Sequence, residues 1–354
     1  MLVSIIVKAL NEERHIAKAI ESALLALAGR SGEVILADSG SSDRTVDVAR
    51  RYPIRIVQLA DVSERSCGAG PQLGFQASHG DYVCLIDGDM VLDPGFLDDA
   101  LDFLEANPSY AGVSGRLRDV NLDSLEYVRR GRRSSPELAS GDTDRLNGGG
   151  LFRRAAIAHV GYFTDRNLHS YEEFDLGARL TSAGWRLHRL ARPFVEHYGH
   201  TTEAYALLWR RLTTKYAFGI GELVRSALMK PQLGLVLSRV NELKLWALVI
   251  ASWGAAGLVA TLLGPIPALL VLFLAVAAPV ALMSYRYRSL SLGAYAVAGW
   301  QVHSLGLILG FLRPRRDPAA PIAARVLHDD TSRIPAEPSQ AAQARGASQS
   351  YRPI

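Results

Sequence analysis

The first ninety residues alternate between short apolar runs and stretches of helical periodicity. LVSIIVKAL reads as a strand, Glu12 to Leu27 as a helix, EVILADSG as a strand and Asp43 to Arg51 as a helix. IRIVQL follows as a strand, Gln72 to Ser78 as a helix and DYVCLIDGD as a strand. Strands of unbroken Ile, Val and Leu, separated by helices, predict a mostly parallel sheet covered on both faces, the doubly wound α/β class. In such sheets ligands bind beyond the carboxyl ends of the strands, where the strand order reverses. Three polar stretches fall at those ends: Lys8 to Glu13, Asp38 to Asp43 and Asp87 to Asp89.

The pattern changes near residue 240. From Leu245 to Met283 no side chain is charged. Leu245 to Leu263 and Pro267 to Met283 are candidate membrane spans, separated by Gly264, Pro265 and Ile266 in a tight turn. Ser289 to Leu312 is a third apolar stretch, carrying Gln301, His303 and several glycines, which reads equally as a span, a re-entrant segment or an interfacial helix. Arg286 and Arg288 follow the second span and Arg313, Arg315 and Arg316 the third, whereas the Gly264 turn has no basic residue. If basic flanks stay inside, both clusters are cytoplasmic only when the third stretch does not cross fully. Beyond Asp317, Ala, Pro, Gln and Ser dominate, which predicts a disordered tail. The expected organisation is a catalytic domain over 1–205, amphipathic juxtamembrane helices over 206–244, two or three transmembrane or re-entrant helices over 245–312 and a disordered cytoplasmic tail over 313–354.

With 354 residues the chain can bury a substantial core and still hold a second unit. Its formal charge of +4 suits anionic headgroups and is too small to imply nucleic acid. Met1 leads directly into VSIIV with no basic n-region or cleavage site, so the N-terminal domain is expected in the cytosol, at an inner or plasma membrane. Cys67 and Cys84 suggest neither a disulfide framework nor a metal knuckle.

Candidate chemistry sits at the strand ends. In VCLIDGDMVL, Asp87 and Asp89 close an apolar run, where two like charges repel and lose hydration. Asp and Gly make ordinary turns. Alternating carboxylates at a strand end also form a hard-oxygen site for Mg or Mn, which hold phosphates. Asp43 stands where a helix cap belongs, whereas Asp38 at the strand end suits base or ribose recognition. No GxGxxG follows the first strand, so a nicotinamide enzyme is disfavoured, and the Gly-rich phosphate loop of a sugar-nucleotide transferase is missing too.

VSIIVKALNEERHI, VILADSGSSDRTVDVA and GDYVCLIDGDMVLDPGFL closely resemble the successive nucleotide-sugar-binding motifs of family-2 glycosyltransferases of GT-A fold. LNGGGLFRRAAIAHVGYF and SYEEFDLGARLTSAGWRLHRL resemble that family's acceptor-side motifs, so the resemblance covers about residues 2 to 205. It implies a Rossmann-like GT-A domain with C-terminal transmembrane or interfacial helices. Ala9, Asn11 and Glu12 are then placed beside the nucleotide base, Asp38 on base or ribose, Asp89 as the direct metal ligand and Asp87 on ribose or the metal shell. Glu173 in YEEFDL stands where the family has its catalytic base, with Glu172 and Asp175 as rivals. An inverting transfer needs such an acceptor-side carboxylate to take a hydroxyl proton.

The chain departs from the family in having Pro71 and Gln72 where many relatives have an Arg-Asn pair, which leaves Arg65 as a diphosphate contact or a surface charge. Asn147, Gly148, Gly149 and Gly150 are expected to floor the acceptor cleft. His197 and His200 are candidates for phosphate or acceptor contact, with His200 a further metal candidate, or are structural imidazoles. Trp209, Arg210, Arg211, Lys215 and Tyr216 suit an interfacial helix, with Trp209 and Arg210 on the acceptor side. Arg129 to Arg133 read as a solvated loop in preference to a membrane or phosphate contact. The QxxRW motif of processive synthases is not evident.

These readings imply a metal-dependent, membrane-bound inverting transferase. It would use a nucleotide-diphosphate sugar and a polyprenyl-diphosphate-linked acceptor in surface polysaccharide assembly. Polyprenyl phosphate or another membrane lipid is the alternative acceptor, and a non-catalytic scaffold binding a nucleotide sugar the alternative class. Pairing of chains through their spans is left open.

Overall fold

The computed structural model describes residues 1–120, 139–199 and 203–330. Arg129 to Arg133 and His200 lie outside the described residues.

The first half is built as its pattern predicts. Strands β1 (Val3–Ala9), β2 (Gly32–Asp38), β3 (Arg55–Leu59) and β4 (Tyr82–Asp87) run parallel in the order β3-β2-β1-β4. Helices α1 (Ile16–Ala26), α2 (Thr45–Ala49) and α3 (Ala69–Ala77) connect them. Alternate side chains of β1 enter different cores: Ile5 and Val7 meet Ile20 and Leu36 on one face, and Ile6 meets Ile35 and Leu73 on the other. That two-sided burial is why the strand reads as one apolar run. Strand order reverses between β1 and β4, which opens a crevice at their carboxyl ends.

The rest of the sheet is mixed. After β4 come β5 (Met90–Leu92), α4 (Phe96–Ala106), β6 (Tyr110–Asp119) and β7 (Gly141–Thr143). They are followed by β8 (Gly150–Arg153), α5 (Arg154–His159), α6 (Glu172–Ser182) and β9 (Arg186–His197). β8 inserts antiparallel between β4 and β6, and β9 pairs parallel with β6 and antiparallel with β5 and β7. The expectation of a mostly parallel sheet therefore holds for the first half only.

Three short helices, α7 (Ala204–Thr213), α8 (Gly219–Ala227) and α9 (Leu233–Arg239), lead to three long apolar ones. These are α10 (Glu242–Leu263), α11 (Pro265–Tyr287) and α12 (Leu290–Leu312), each long and apolar enough to cross a membrane. Gly264, at φ 90°, ends α10, and Pro265 starts α11 where its missing N–H costs nothing. Ser289 Oγ accepts from Leu292 N and starts α12.

One expectation is corrected. The disorder expected over 313–354 does not hold for residues 317–330, which return to the sheet, where β10 (Ala324–Asp329) pairs antiparallel with the open edge of β3; residues 331–354 lie outside the described residues. Composition predicts disorder because the segment cannot build a core of its own. It borrows one: Ile322 is buried against the cluster of Val57 and Leu73, and the Gln76 amide bonds both the N–H and the carbonyl of Ile322. The fold is mixed α/β around one central sheet, with the long apolar helices at its C-terminal side.

Candidate active site

At the reversal point the register sets Lys8 of β1 beside Asp87 of β4. Lys8 Nζ lies 3.2 Å from Asp87 Oδ1 and 3.3 Å from Glu172 Oε1 at the start of α6. Burial alone would lower the Lys8 pKa, but Asp87, Glu172 and Glu173 together raise it well above its ordinary value. The lysine therefore stays charged and ties β1 and β4 to the start of α6. Asp87 is itself pushed up, by burial first and by the Asp89 charge, against the pull of Lys8.

Asp89 has a different partner. His197, at the end of β9, sets Nε2 3.3 Å from Asp89 Oδ2 and Nδ1 2.7 Å from Asp119 Oδ1. Burial disfavours the imidazolium, yet the hydrogen bonds to Asp119 and Asp89 raise it to about 10, so both ring nitrogens donate. Burial likewise opposes ionisation of Asp89, but His197 outweighs it and holds that carboxyl below its ordinary value. Glu12, in the loop after β1, is pushed up to about 7 by burial and then by Asp89, Asp87 and Asp43. Lys8 and His197 thus leave an excess of negative charge here.

Glu173 is held by glycines. Gly148 N and Gly149 N donate to its Oε1 at 2.9 and 3.1 Å, leaving Oε2 without either of these donors. Gly149 has φ 92°, and a Cβ there would come within 2.1 Å of the Leu85 carbonyl oxygen, so only glycine brings both N–H groups to this carboxylate. Burial, followed by the charge of Glu172, raises Glu173 to about 7.

The other expected site residues divide into three groups. Asn11, at φ 60°, joins two loops by accepting from Ser42 N at 2.8 Å and donating its own N–H to Ser41 Oγ at 2.9 Å. Ala9 is buried at the end of β1, and a Cβ on Gly88 would lie 3.0 Å from its methyl. Asp38 is fully buried, and its Oδ2 accepts from Gly40 N, Ser41 N and Gln58 Nε2, so it shapes the loop after β2. Arg65 serves the same loop, donating to the carbonyls of Ser39 and Gly40 at 2.9 and 2.7 Å.

Asp175 is drawn elsewhere. Its Oδ2 pairs with Arg179 Nε at 2.8 Å, and Arg179 also donates to the Tyr162 carbonyl at 2.7 Å. Nearly fully buried and bound to Arg179, Asp175 is held apart from the glycine clamp that receives Glu173. Asn147 precedes the glycine clamp. Trp209 and Arg210 are exposed on α7, outside the carboxylate cluster.

Lys8 and Asp119 were not singled out from sequence. Lys8 left a trace, being a lysine that closes an otherwise apolar strand in VSIIVKAL. Asp119 left none, because its role depends on β6 and β9 pairing Asp119 with His197.

The chain matches known families in two blocks. Residues 4–161 match the glycosyl transferase family 2 model, and residues 147–285 match glycosyl transferase family group 2. EpsE of Bacillus subtilis (strain 168), named as a glycosyltransferase, is 28% identical over 198 residues, covering 53% of this chain and 69% of that protein. Glucomannan 4-beta-mannosyltransferase 2 of Arabidopsis thaliana is 33% identical over 118 residues, 30% of this chain, and the match spans only 22% of the plant protein. The mannosyltransferase PcManGT from Pyrobaculum calidifontis, solved in complex with GDP-Man and Mn2+, shares the fold at TM-score 0.55 and 21% identity, covering 86% of either chain. Fold and sequence matches together define a glycosyltransferase domain of GT-A fold. Residues 4–161 thus form a glycosyl transferase family 2 domain, and the family-group-2 match continues it to residue 285.

Proposed function

We propose that the protein is an inverting, metal-dependent glycosyltransferase acting at a membrane, with Glu173 as the catalytic base. The observation that carries this reading is the Gly148–Gly149 clamp, which aims a carboxylate with a pKa near 7 at the crevice holding Asp87. A base poised at that value accepts a proton efficiently near neutral pH. The acceptor hydroxyl gives its proton to Glu173 as its oxygen attacks the anomeric carbon, and the bond from that carbon to the diphosphate oxygen breaks. Lys8 keeps Glu172 and Asp87 paired during this step. Asn11, Asp38 and Arg65 hold the two loops against which the nucleotide lies.

The donor set fits Mg or Mn. The upward shift of Glu12, by burial and then by the charges of Asp89 and Asp87, registers negative charge that Lys8 and His197 do not cancel. Among the described residues no three His, Cys, Asp or Glu side chains are grouped so as to hold a metal by themselves. Asp89 and Asp87 would hold it, and it would neutralise charge on the departing diphosphate.

The helices α10 to α12 support a membrane location with the catalytic domain on the cytoplasmic face. They favour a lipid-linked acceptor, a polyprenyl-diphosphate saccharide before polyprenyl phosphate or another lipid. Asn147, Trp209 and Arg210 are assigned to the acceptor side.

The test is donor turnover in purified membranes with UDP-, GDP- and dTDP-sugars, Mn or Mg, and added polyprenyl-linked lipids. One donor should be consumed only with metal, its sugar should enter the lipid fraction, and Asp89→Ala should be silent. A protein that binds a donor but turns over none, with or without Glu173→Gln, is a scaffold instead.

A further inference from the structure

Three consecutive spanning helices would carry the chain to the far side of a bilayer. The structure brings it back to the side from which it left. At the start of α10, Trp246 packs in one cluster with Phe174 and Ala178 of α6, the helix that carries Glu173. Just before it, Arg239 Nε lies 3.9 Å from Asp144 Oδ2. At the end of α12, Arg313 Nη1 lies 3.0 Å from Glu222 Oε1 in α8, and Glu222 also accepts from His169 N at 2.9 Å. Arg315 pairs with the fully buried Asp165, and Ala60 N donates to the Ala323 carbonyl at 3.0 Å immediately before β10 joins β3. Glu242 and Arg313 therefore both abut the catalytic domain. The number of complete crossings between them is even, because a folded sheet cannot have strands on both sides of a bilayer.

α12 is the helix that fits a non-crossing role. Its contacts with the hairpin fall at the end nearest the catalytic domain. Ser304 Oγ bonds the Trp246 carbonyl at 3.4 Å, Trp253 Nε1 bonds Gln301 Oε1 at 2.9 Å, and Ala296 and Val297 pack on Met283. Its other flank lies along α7, the turn Tyr216–Phe218 and α8. A Cβ at Gly306 would stand 2.1 Å from the Ala217 carbonyl oxygen, and one at Gly310 would stand 2.0 Å from that of Phe218. Its exposed large apolar side chains are Leu290, Leu305, Leu309, Phe311 and Leu312, while Tyr295, Ala296, Val297, Ser304 and Gly306 in its middle are buried against protein, unlike most of the hairpin. The outer part of the hairpin exposes Leu258, Leu262, Ile266, Leu270 and Phe273 instead.

Resting on the membrane reading above, we infer that α10 and α11 form a two-crossing hairpin while α12 lies in the headgroup interface as the floor of the catalytic domain. The turn Tyr216–Phe218, packed on that floor at Gly306 and Gly310, adjoins α6: Ser170 Oγ donates to the Tyr216 carbonyl at 2.9 Å, two residues before α6 begins. The acceptor class follows from this geometry. It is a lipid-borne molecule whose reactive hydroxyl stands at headgroup depth rather than a long polymer end reaching into the cytosol.

Single cysteines at Glu105, Ile266 and Ala319 in the full chain, reacted with a membrane-impermeant maleimide on oriented membranes, test the inference against the labelling of the native cysteines. Glu105→Cys and Ala319→Cys should react from one side and Ile266→Cys only from the other. An epitope after Ile354, probed by protease from each side, gives the same readout without substituting any residue. Ala319→Cys or the epitope opposite Glu105→Cys, with Ile266→Cys opposite as well, means three crossings and overturns the inference. If Ile266→Cys reacts from the same side as Glu105→Cys, nothing crosses and the membrane-spanning reading itself falls.

Discussion

The strand-end crevice and the α10–α11 hairpin invert each other. In the crevice, charged groups are taken out of water: Lys8, Asp87, Glu172 and Glu173 crowd together, with Asp89 and His197 beside them. In the hairpin, apolar side chains such as Leu262, Ile266 and Phe273 stand exposed, each at a cost of about 1.5–3 kcal/mol if left in water. Neither arrangement is favourable alone, and under the function proposed above a cation with a diphosphate would complete one and lipid the other. The regions meet at α6, whose first residues carry Glu172 and Glu173 and whose Phe174 packs with Trp246 of α10.

The sharpest way to break this contrast is to remove function from the crevice while leaving its packing intact. Glu173→Gln should lower turnover by about 10²–10⁴-fold with donor affinity retained, measured by product formation and donor titration. In the unaltered protein the base works when ionised, so turnover should rise with pH through about 7 and flatten above it. A profile flat from pH 5 to 8 would remove Glu173 from that role.

Gly149→Ala tests the clamp itself. A methyl facing the Leu85 carbonyl at a positive φ should cost about 1–3 kcal/mol of stability, read as a lower Tm, with a further loss of turnover as Glu173 loses its N–H donors. Lys8→Met leaves Asp87 and Glu172 without their shared cation. It should destabilise by about 1–3 kcal/mol, and added divalent cation should restore part of the Tm, since the metal opposes the same repulsion. Trp209→Ala should have the smallest effect. It leaves Tm within about 0.5 kcal/mol of the parent and raises the KM for a lipid acceptor without changing donor binding, because the ring is exposed on α7 away from the core.

Raised carboxyl groups also affect stability. Glu12 and Glu173 ordinarily titrate near 4.5 and are held at about 7 when folded, so between those values the folded chain binds more protons than the unfolded one. Their effect on stability is absent below about 4.5 and grows as pH rises to about 7. Mg or Mn bound at the crevice should flatten that slope.

The four parallel strands, the crevice at their ends, the paired aspartates and the charge-free run from Leu245 to Met283 were all legible along the chain. Each is a local signal, a periodicity of two or 3.6 or a run of one residue class, and such signals survive without knowledge of partners. What tertiary structure alone decided depends on where distant segments arrive. Asp175 and Glu173 differ by two positions in the same acidic motif, yet one bonds Arg179 and the other a glycine loop 24 and 25 residues away. His197 became a charged partner of Asp89 because β9 ends beside both it and Asp119. Residues 317–330 carry the composition of a loose tail, and the open edge of β3 made them a strand. Residue order states which side chains are available and with what spacing. Packing in three dimensions chose their neighbours, and for charged groups the neighbour sets the chemistry.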